Sequence, residues 1–123
     1  MVGVDTPGWL PAPAVGVGDE LLRLRASAEA EAATLAMDLE ALFTASRDSN
    51  ADDEHDPEGA TIGFERAQLT ALLAAARQRI AEIDDALRRV DAATYGVCER
   101  CGQPIADERL AARPFARHCI ACA

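Results

Sequence analysis

Leu69-Thr-Ala-Leu-Leu73-Ala-Ala-Ala76-Arg-Gln-Arg-Ile80-Ala-Glu-Ile83-Asp-Asp-Ala-Leu87-Arg-Arg-Val90 is the stretch on which the fold turns. Its apolar positions Leu69, Leu73, Ala76, Ile80, Ile83, Leu87 and Val90 step by 4, 3, 4, 3, 4 and 3 residues, a sustained heptad. Such a stripe places one apolar seam along a helix and requires a partner to cover it. The pattern predicts a helix over about 61–93, with Thr61 as its N-cap. A second stripe lies upstream, where Leu21, Leu24, Ala28, Ala32, Leu35, Leu39 and Leu42 recur at three-and-four spacing with Glu29, Glu31, Asp38 and Glu40 on other faces. This predicts a helix over about 19–47, with Asp19 as N-cap, Glu20 in the first turn and Arg47 in the last, the charges that the two helix ends prefer.

Each helix has one apolar stripe and the other can supply its partner, so the pair is expected to fold back as an antiparallel coiled-coil hairpin. The same stripes could instead pair two copies as a four-helix bundle, and the pattern leaves that open. The connecting residues 48–60 hold six acids (Asp48, Asp52, Asp53, Glu54, Asp56 and Glu58), no arginine or lysine, and the turn chemistry of Ser49, Asn50, Pro57 and Gly59. Helices of this size would hold that acidic loop about 40 Å from the hairpin base, at a rise of about 1.5 Å per residue. His55 reads as a solvated member of the loop, or else as part of a pH-sensitive or metal-binding tip. Residues 1–18, with four glycines, three prolines and Trp9 but no periodicity, read as a flexible leader in which Trp9 is either a loose aromatic or a short partner-binding anchor.

Composition agrees with a mainly α chain. The 123 residues are 50% hydrophobic but only 4% aromatic, enough for a narrow helical seam and too little for an aromatic core. A formal charge of -9, from 12 arginines against 21 acids, has the wrong sign for coating a phosphate backbone or an anionic membrane. No stretch approaches the roughly 18 to 20 apolar residues of a membrane span. The N-terminus lacks the basic and apolar regions of a secretory signal, so a reducing cytoplasm is the expected setting.

In that setting cysteines are metal ligands or redox groups before they are disulfides. Cys98, Cys101, Cys119 and Cys122 follow a C-x2-C-x17-C-x2-C arrangement, inside the spacing of a structural zinc site, and define a C4 module over 94–123. Each C-x-x-C lets two sulfurs approach one ion from a tight turn, and Gly102 supplies a residue free to take positive φ. Four thiolates fill a tetrahedral Zn2+ shell and leave no position for water, which predicts one structural rather than catalytic metal. The complex would carry a charge of -2, with Arg100, Arg113 and Arg117 near in sequence to offset it. A segment this short has too little apolar surface to fold alone, so metal binding and folding should be one event. A redox dithiol pair, two disulfides and ligation by His118 are the competing readings.

The combination of two such helices with Tyr95-Gly-Val-Cys98-Glu-Arg-Cys101-Gly102, Ile105, Arg109-Leu-x-Ala112-x-Pro114 and Cys119-x-x-Cys122 resembles the DksA/TraR C4-type zinc-finger family. Members are bacterial proteins whose coiled-coil hairpin enters the secondary channel of RNA polymerase and brings acidic tip residues near the catalytic magnesium. The resemblance implies a noncatalytic, zinc-binding transcription regulator. Its zinc ligands would be Cys98, Cys101, Cys119 and Cys122, and its polymerase-contacting tip Asp52, Asp53, Glu54, Asp56 and Glu58. The D-x-x-D-x-A tip motif of the family's best-known member is represented by Asp53-Glu-His-Asp56-Pro-Glu58, with Glu in place of Ala. With one residue after Cys122, the C-terminal helix of larger members is not expected, and ppGpp binding is not predicted. Two alternatives remain at this point: a zinc-dependent nucleic-acid-binding module, and a Gre-like stimulator of transcript cleavage in which Asp52-Asp53-Glu54 helps the polymerase hold a second Mg2+.

Overall fold

A computed structural model describes residues 16–49 and 57–123. Three helices occur among them: α1 (Val17–Ser49), α2 (Pro57–Asp91) and the short α3 (Asp107–Ala112). Among the described residues there is no strand, only one isolated antiparallel bridge between Val97 and Pro104. The class is mainly α, an antiparallel two-helix hairpin followed by a small four-cysteine module.

α1 starts two residues before Asp19, so Asp19 and Glu20 both sit in its first turn, and Arg47 in its last. Both placements oppose the helix dipole with a favourable charge. α2 starts at Pro57, four residues before Thr61, which lies inside the helix instead of capping it. Proline suits the first helical position because the N–H it lacks would have no intrahelical partner there and its φ is already helical. The loop expected over 48–60 is shortened accordingly. Asp48 lies in the last turn of α1, which ends at Ser49, and Glu58 belongs to the first turn of α2. Asp52, Asp53, Glu54, His55 and Asp56 lie outside the described residues, as does Trp9.

α2 ends in a Schellman motif: Thr94 N–H donates to the Arg89 carbonyl at 2.8 Å and Ala93 N–H to the Val90 carbonyl at 3.1 Å. The left-handed position that this motif requires is filled by Ala93, at φ 60°. Glycine is the usual occupant, and an alanine there costs about 1 kcal/mol in Cβ crowding. The chain accepts that cost where it turns from helix into the cysteine module.

The contacts divide into two units. In the first, residues 16–25 with 81–123, Leu21, Ile83 and Ala86 are fully buried, and Val17, Leu24, Leu87, Val90, Tyr95 and Phe115 pack against them. Burial of a side chain such as Ile83 contributes about 1.5–3 kcal/mol. Beside this core the Arg25 guanidinium grips Asp84 with two hydrogen bonds, Nε to Oδ1 at 2.6 Å and Nη2 to Oδ2 at 3.3 Å.

In the second unit, residues 26–80, Ala28, Leu73 and Ala76 are buried while Leu35, Leu39, Leu42, Leu69 and Ile80 are half-buried. All of the positions picked out by the two apolar stripes in this unit are therefore at least partly covered. Arg79 donates to Glu31 at 2.9 Å, and the Arg66 guanidinium lies 5.2 Å from the centre of the Phe43 ring. As α1 advances from Glu31 to Phe43 its neighbour on α2 retreats from Arg79 to Arg66, so the helices run antiparallel.

The hydrogen bonds from Arg25 hold the Asp84 carboxyl below its ordinary range, against the opposing effect of burial, and the charges of Arg25 and Arg88 add to the lowering. A depressed carboxylate contributes stability above its unfolded pKa of about 3.9 and loses it as pH falls through the lower folded value. Asp84→Asn should therefore lower stability at neutral pH by up to about 1 kcal/mol, the scale of a partly exposed ion pair. Thermal melts followed by circular dichroism should show the gap between wild type and variant closing as the pH is taken from about 5 to about 2.

Candidate metal centre

The cysteine module is built from two tight turns brought together by backbone hydrogen bonds. In the first turn Cys98 N–H donates to the Gln103 carbonyl at 2.8 Å, and Gly102 N–H returns to the Cys98 carbonyl at 2.9 Å. Closing that turn needs φ 75° at Gly102, where an added Cβ would meet nothing within 4 Å. The requirement for glycine is thus backbone conformation and not space. In the second turn Cys122 N–H donates to the Cys119 carbonyl at 3.0 Å. Glu99 N–H, donating to the Arg117 carbonyl at 2.9 Å, stitches one turn to the other.

The outcome is that the four Sγ atoms, of Cys98, Cys101, Cys119 and Cys122, all lie within 4.8 Å of one another. Cys101 and Cys119 are 3.7 Å apart. A tetrahedral zinc with Zn–S bonds of about 2.3 Å spaces its sulfurs about 3.8 Å apart, so the donor set and its spacing fit the ion. All four cysteines are free and none is disulfide-bonded. The ligand cluster is made of the four thiols without His118. The module holds one structural zinc.

The electrostatics of the sulfurs show why an ion belongs there. Burial pushes the Cys98 thiol up, but the backbone N–H groups of Cys119, Cys101 and Arg100, with the Cys101 thiol, bring it down to about 6. Cys122 is pushed up to about 12, first by its hydrogen bond with Cys119 and then by burial and the other thiols. The Gln103 amide lowers Cys101, yet burial and the thiols of Cys98 and Cys119 together raise it. One thiolate forms readily and the next is resisted by the first. A dication removes that conflict and deprotonates the whole set.

Three side chains anchor the segment leading into the second turn by its carbonyls. Tyr95 Oη donates to Pro114 at 2.6 Å, Arg89 Nη2 to Phe115 at 3.3 Å, and Arg109 Nε to His118 at 2.8 Å. Arg89, on α2, is only 9% exposed, and Glu99 lies 3.9 Å from its guanidinium. Burial pulls Arg89 down and pushes Tyr95 up, while the Glu99 charge supports the former and the Arg89 charge eases the latter. Sequence reasoning missed the role of Arg89, because next to Arg88 in the chain nothing distinguishes the buried arginine from the exposed one. Of the arginines expected to offset the thiolate charge, Arg100 donates to the Cys122 carbonyl at 3.5 Å and Arg117 lies 3.9 Å from Glu99. Ile105 and Leu110, from α3, complete the small core around Cys98, with Tyr95, Ala116, Cys119 and Cys122 packed against it.

A helical hairpin followed by a C4 zinc finger is the class of protein that this geometry defines. The prokaryotic dksA/traR C4-type zinc-finger family matches residues 93–123. The chain is 55% identical over 40 residues to the RNA polymerase-binding transcription factor DksA of Caulobacter vibrioides, covering 32% of this chain and 28% of that protein. It is 38% identical over 69 residues to general stress protein 16O of Bacillus subtilis, covering 56% of this chain and 42% of that one. The sequence matches thus span less than half the length of these relatives. The structure of transcription factor DksA2 from Pseudomonas aeruginosa is similar with a TM-score of 0.74 at 29% identity, covering 97% of this chain and 86% of that chain. The cysteine module thus matches the DksA/TraR C4-type zinc finger, and the likeness to DksA2 extends over both long helices.

Zinc analysis of the purified protein should return about one ion per chain, and Cys119→Ser should hold less than half of that. Chelation should abolish the near-ultraviolet signal of Tyr95 while leaving most of the far-ultraviolet helical signal; a module that stays folded without metal would contradict the assignment. Tyr95→Phe, which strands the Pro114 carbonyl, should cost about 1 kcal/mol with zinc content unchanged.

Proposed function

We propose that this chain is a noncatalytic transcription regulator of the bacterial cytoplasm that binds RNA polymerase. Its acidic hairpin tip enters the secondary channel, and the zinc module braces the end of the hairpin from which it grows. The observation that carries this reading is the similarity to a transcription factor across 97% of the chain, which takes in both long helices as well as the cysteine module. Relatives named as RNA polymerase-binding transcription factors support it further. Among the described residues no helix is long and apolar enough to cross a membrane.

The acidic residues take the central role in this reading. Asp52, Asp53, Glu54, Asp56 and Glu58 stand close in sequence with no cation among them, and carboxylates so gathered repel one another. A channel lined with basic groups, with Mg2+ at its end, relieves that repulsion. Direct contact with nucleic acid and binding of ppGpp are not part of the proposal, since a net charge of -9 opposes the first.

The test is co-purification with core RNA polymerase and in vitro transcription, comparing wild type with a form in which the five tip acids are replaced by Asn and Gln. Wild type should bind in a salt-sensitive manner and alter transcript yield. The neutralised tip should weaken the effect by about tenfold or more while zinc content and helicity stay the same. No binding and no change in transcription at excess protein would refute the reading. Faster cleavage of stalled transcripts would instead favour the Gre-like role.

A further inference from the structure

We infer that Arg89 is a positioning residue of the metal centre: it is not a ligand, but from the last turn of α2 its guanidinium spans the two cysteine turns and sets how long the site keeps its zinc. The role concerns metal retention alone and is independent of any partner.

Among the described residues Arg89 is the one charged side chain that is buried. A buried charge is costly unless it is paired and hydrogen-bonded, so its contacts are what keep it there. Nη2 donates to the Phe115 carbonyl at 3.3 Å, on the segment that leads into Cys119. Nη1 lies 3.9 Å from Oε1 of Glu99, which stands between Cys98 and Cys101. The carbonyl of Arg89 accepts the N–H of Thr94 at 2.8 Å and that of Tyr95 at 3.1 Å, where the chain leaves α2 for the first turn. One residue on a helix therefore fixes the approach to the first turn, the middle of that turn and the approach to the second.

The other anchors reach less far. Tyr95 and Arg109 each hold one carbonyl, of Pro114 and of His118. Arg117 lies 3.9 Å from the second oxygen of Glu99, but it is exposed and belongs to the loop it would have to hold. The backbone joins the two turns where Glu99 N–H meets the Arg117 carbonyl at 2.9 Å, and the Glu99 carboxylate, between the guanidinium groups of Arg89 and Arg117, ties that joint to α2. Two nitrogens of one planar group serve two different turns here, an arrangement that the single ammonium of lysine does not reproduce. Residues that hold metal ligands in place without binding the metal are worth about 10–100-fold in metal affinity. With Ile105 and Leu110 as the buried apolar side chains of the module, little else restrains the turns from parting and releasing the ion.

The test is the rate of zinc release from the full-length, zinc-loaded protein to a chromogenic chelator. Arg89→Met should release zinc about tenfold or more faster than wild type, and Arg89→Lys should recover only part of the loss. Arg88→Met is the control and should match wild type, since Arg88 is exposed and paired with Asp85. Glu99→Gln should speed release as well, and adding it to Arg89→Met should change the rate by less than about twofold, because both substitutions cut one link. Thermal melts separate positioning from general support of α2: with zinc bound Arg89→Met should melt below wild type, whereas the zinc-free proteins should melt alike, the module being unassembled in both. Release from Arg89→Met within about twofold of the wild-type rate overturns the inference. Fully additive effects of the two substitutions overturn the span between the turns. A zinc-free Arg89→Met that melts as far below wild type as the zinc-bound one also overturns it, and makes Arg89 a support of the helix end alone.

Discussion

Four thiols held within 4.8 Å of one another impose the constraint on which the C-terminal module depends. Apart from the ligand Cys98, the buried core of that module consists of Ile105 and Leu110. So small an apolar core does not order some thirty residues by itself, and a metal ion adds the cross-link between the two turns that it lacks. Cys98 is lowered to about 6 and Cys122 raised to about 12, and a cation among the sulfurs favours the ionised form of each.

The same constraint explains how the module is joined to α2. The helix stops in a Schellman turn at Ala93, and the residues on either side of that turn, Arg89 and Tyr95, reach the carbonyls of Phe115 and Pro114. Arg109 takes the carbonyl of His118 immediately before the third ligand. Each anchor is a charged or phenolic donor on a carbonyl that would otherwise lack a partner, and such bonds specify one arrangement more than they add free energy. The module is therefore fixed to the helix by polar geometry on one side and by the Leu21, Ile83 and Ala86 cluster on the other.

Charge is divided unevenly along the chain. Six of the 21 acids lie between Asp48 and Glu58. Arg100 and Arg109 of the module donate to carbonyls and Arg117 lies beside Glu99, which draws these three charges into the module's own structure.

The heptad from Leu69 to Val90 and the stripe from Leu21 to Leu42 determined two helices with one apolar seam each, and the folded chain decided that the two seams cover one another. The C-x2-C-x17-C-x2-C spacing determined the zinc site, since four thiols at two tight turns suit one tetrahedral ion. Both signals are local, written in the intervals between residues. The start of α2 at Pro57, ahead of Thr61, was also local, but proline and threonine each offer a legitimate helix start and only the folded chain selects between them. The buried role of Arg89 beside exposed Arg88 and the carbonyl partners of Tyr95 and Arg109 were decided by tertiary structure alone. Each depends on where a distant segment returns, and no interval along the chain encodes that position.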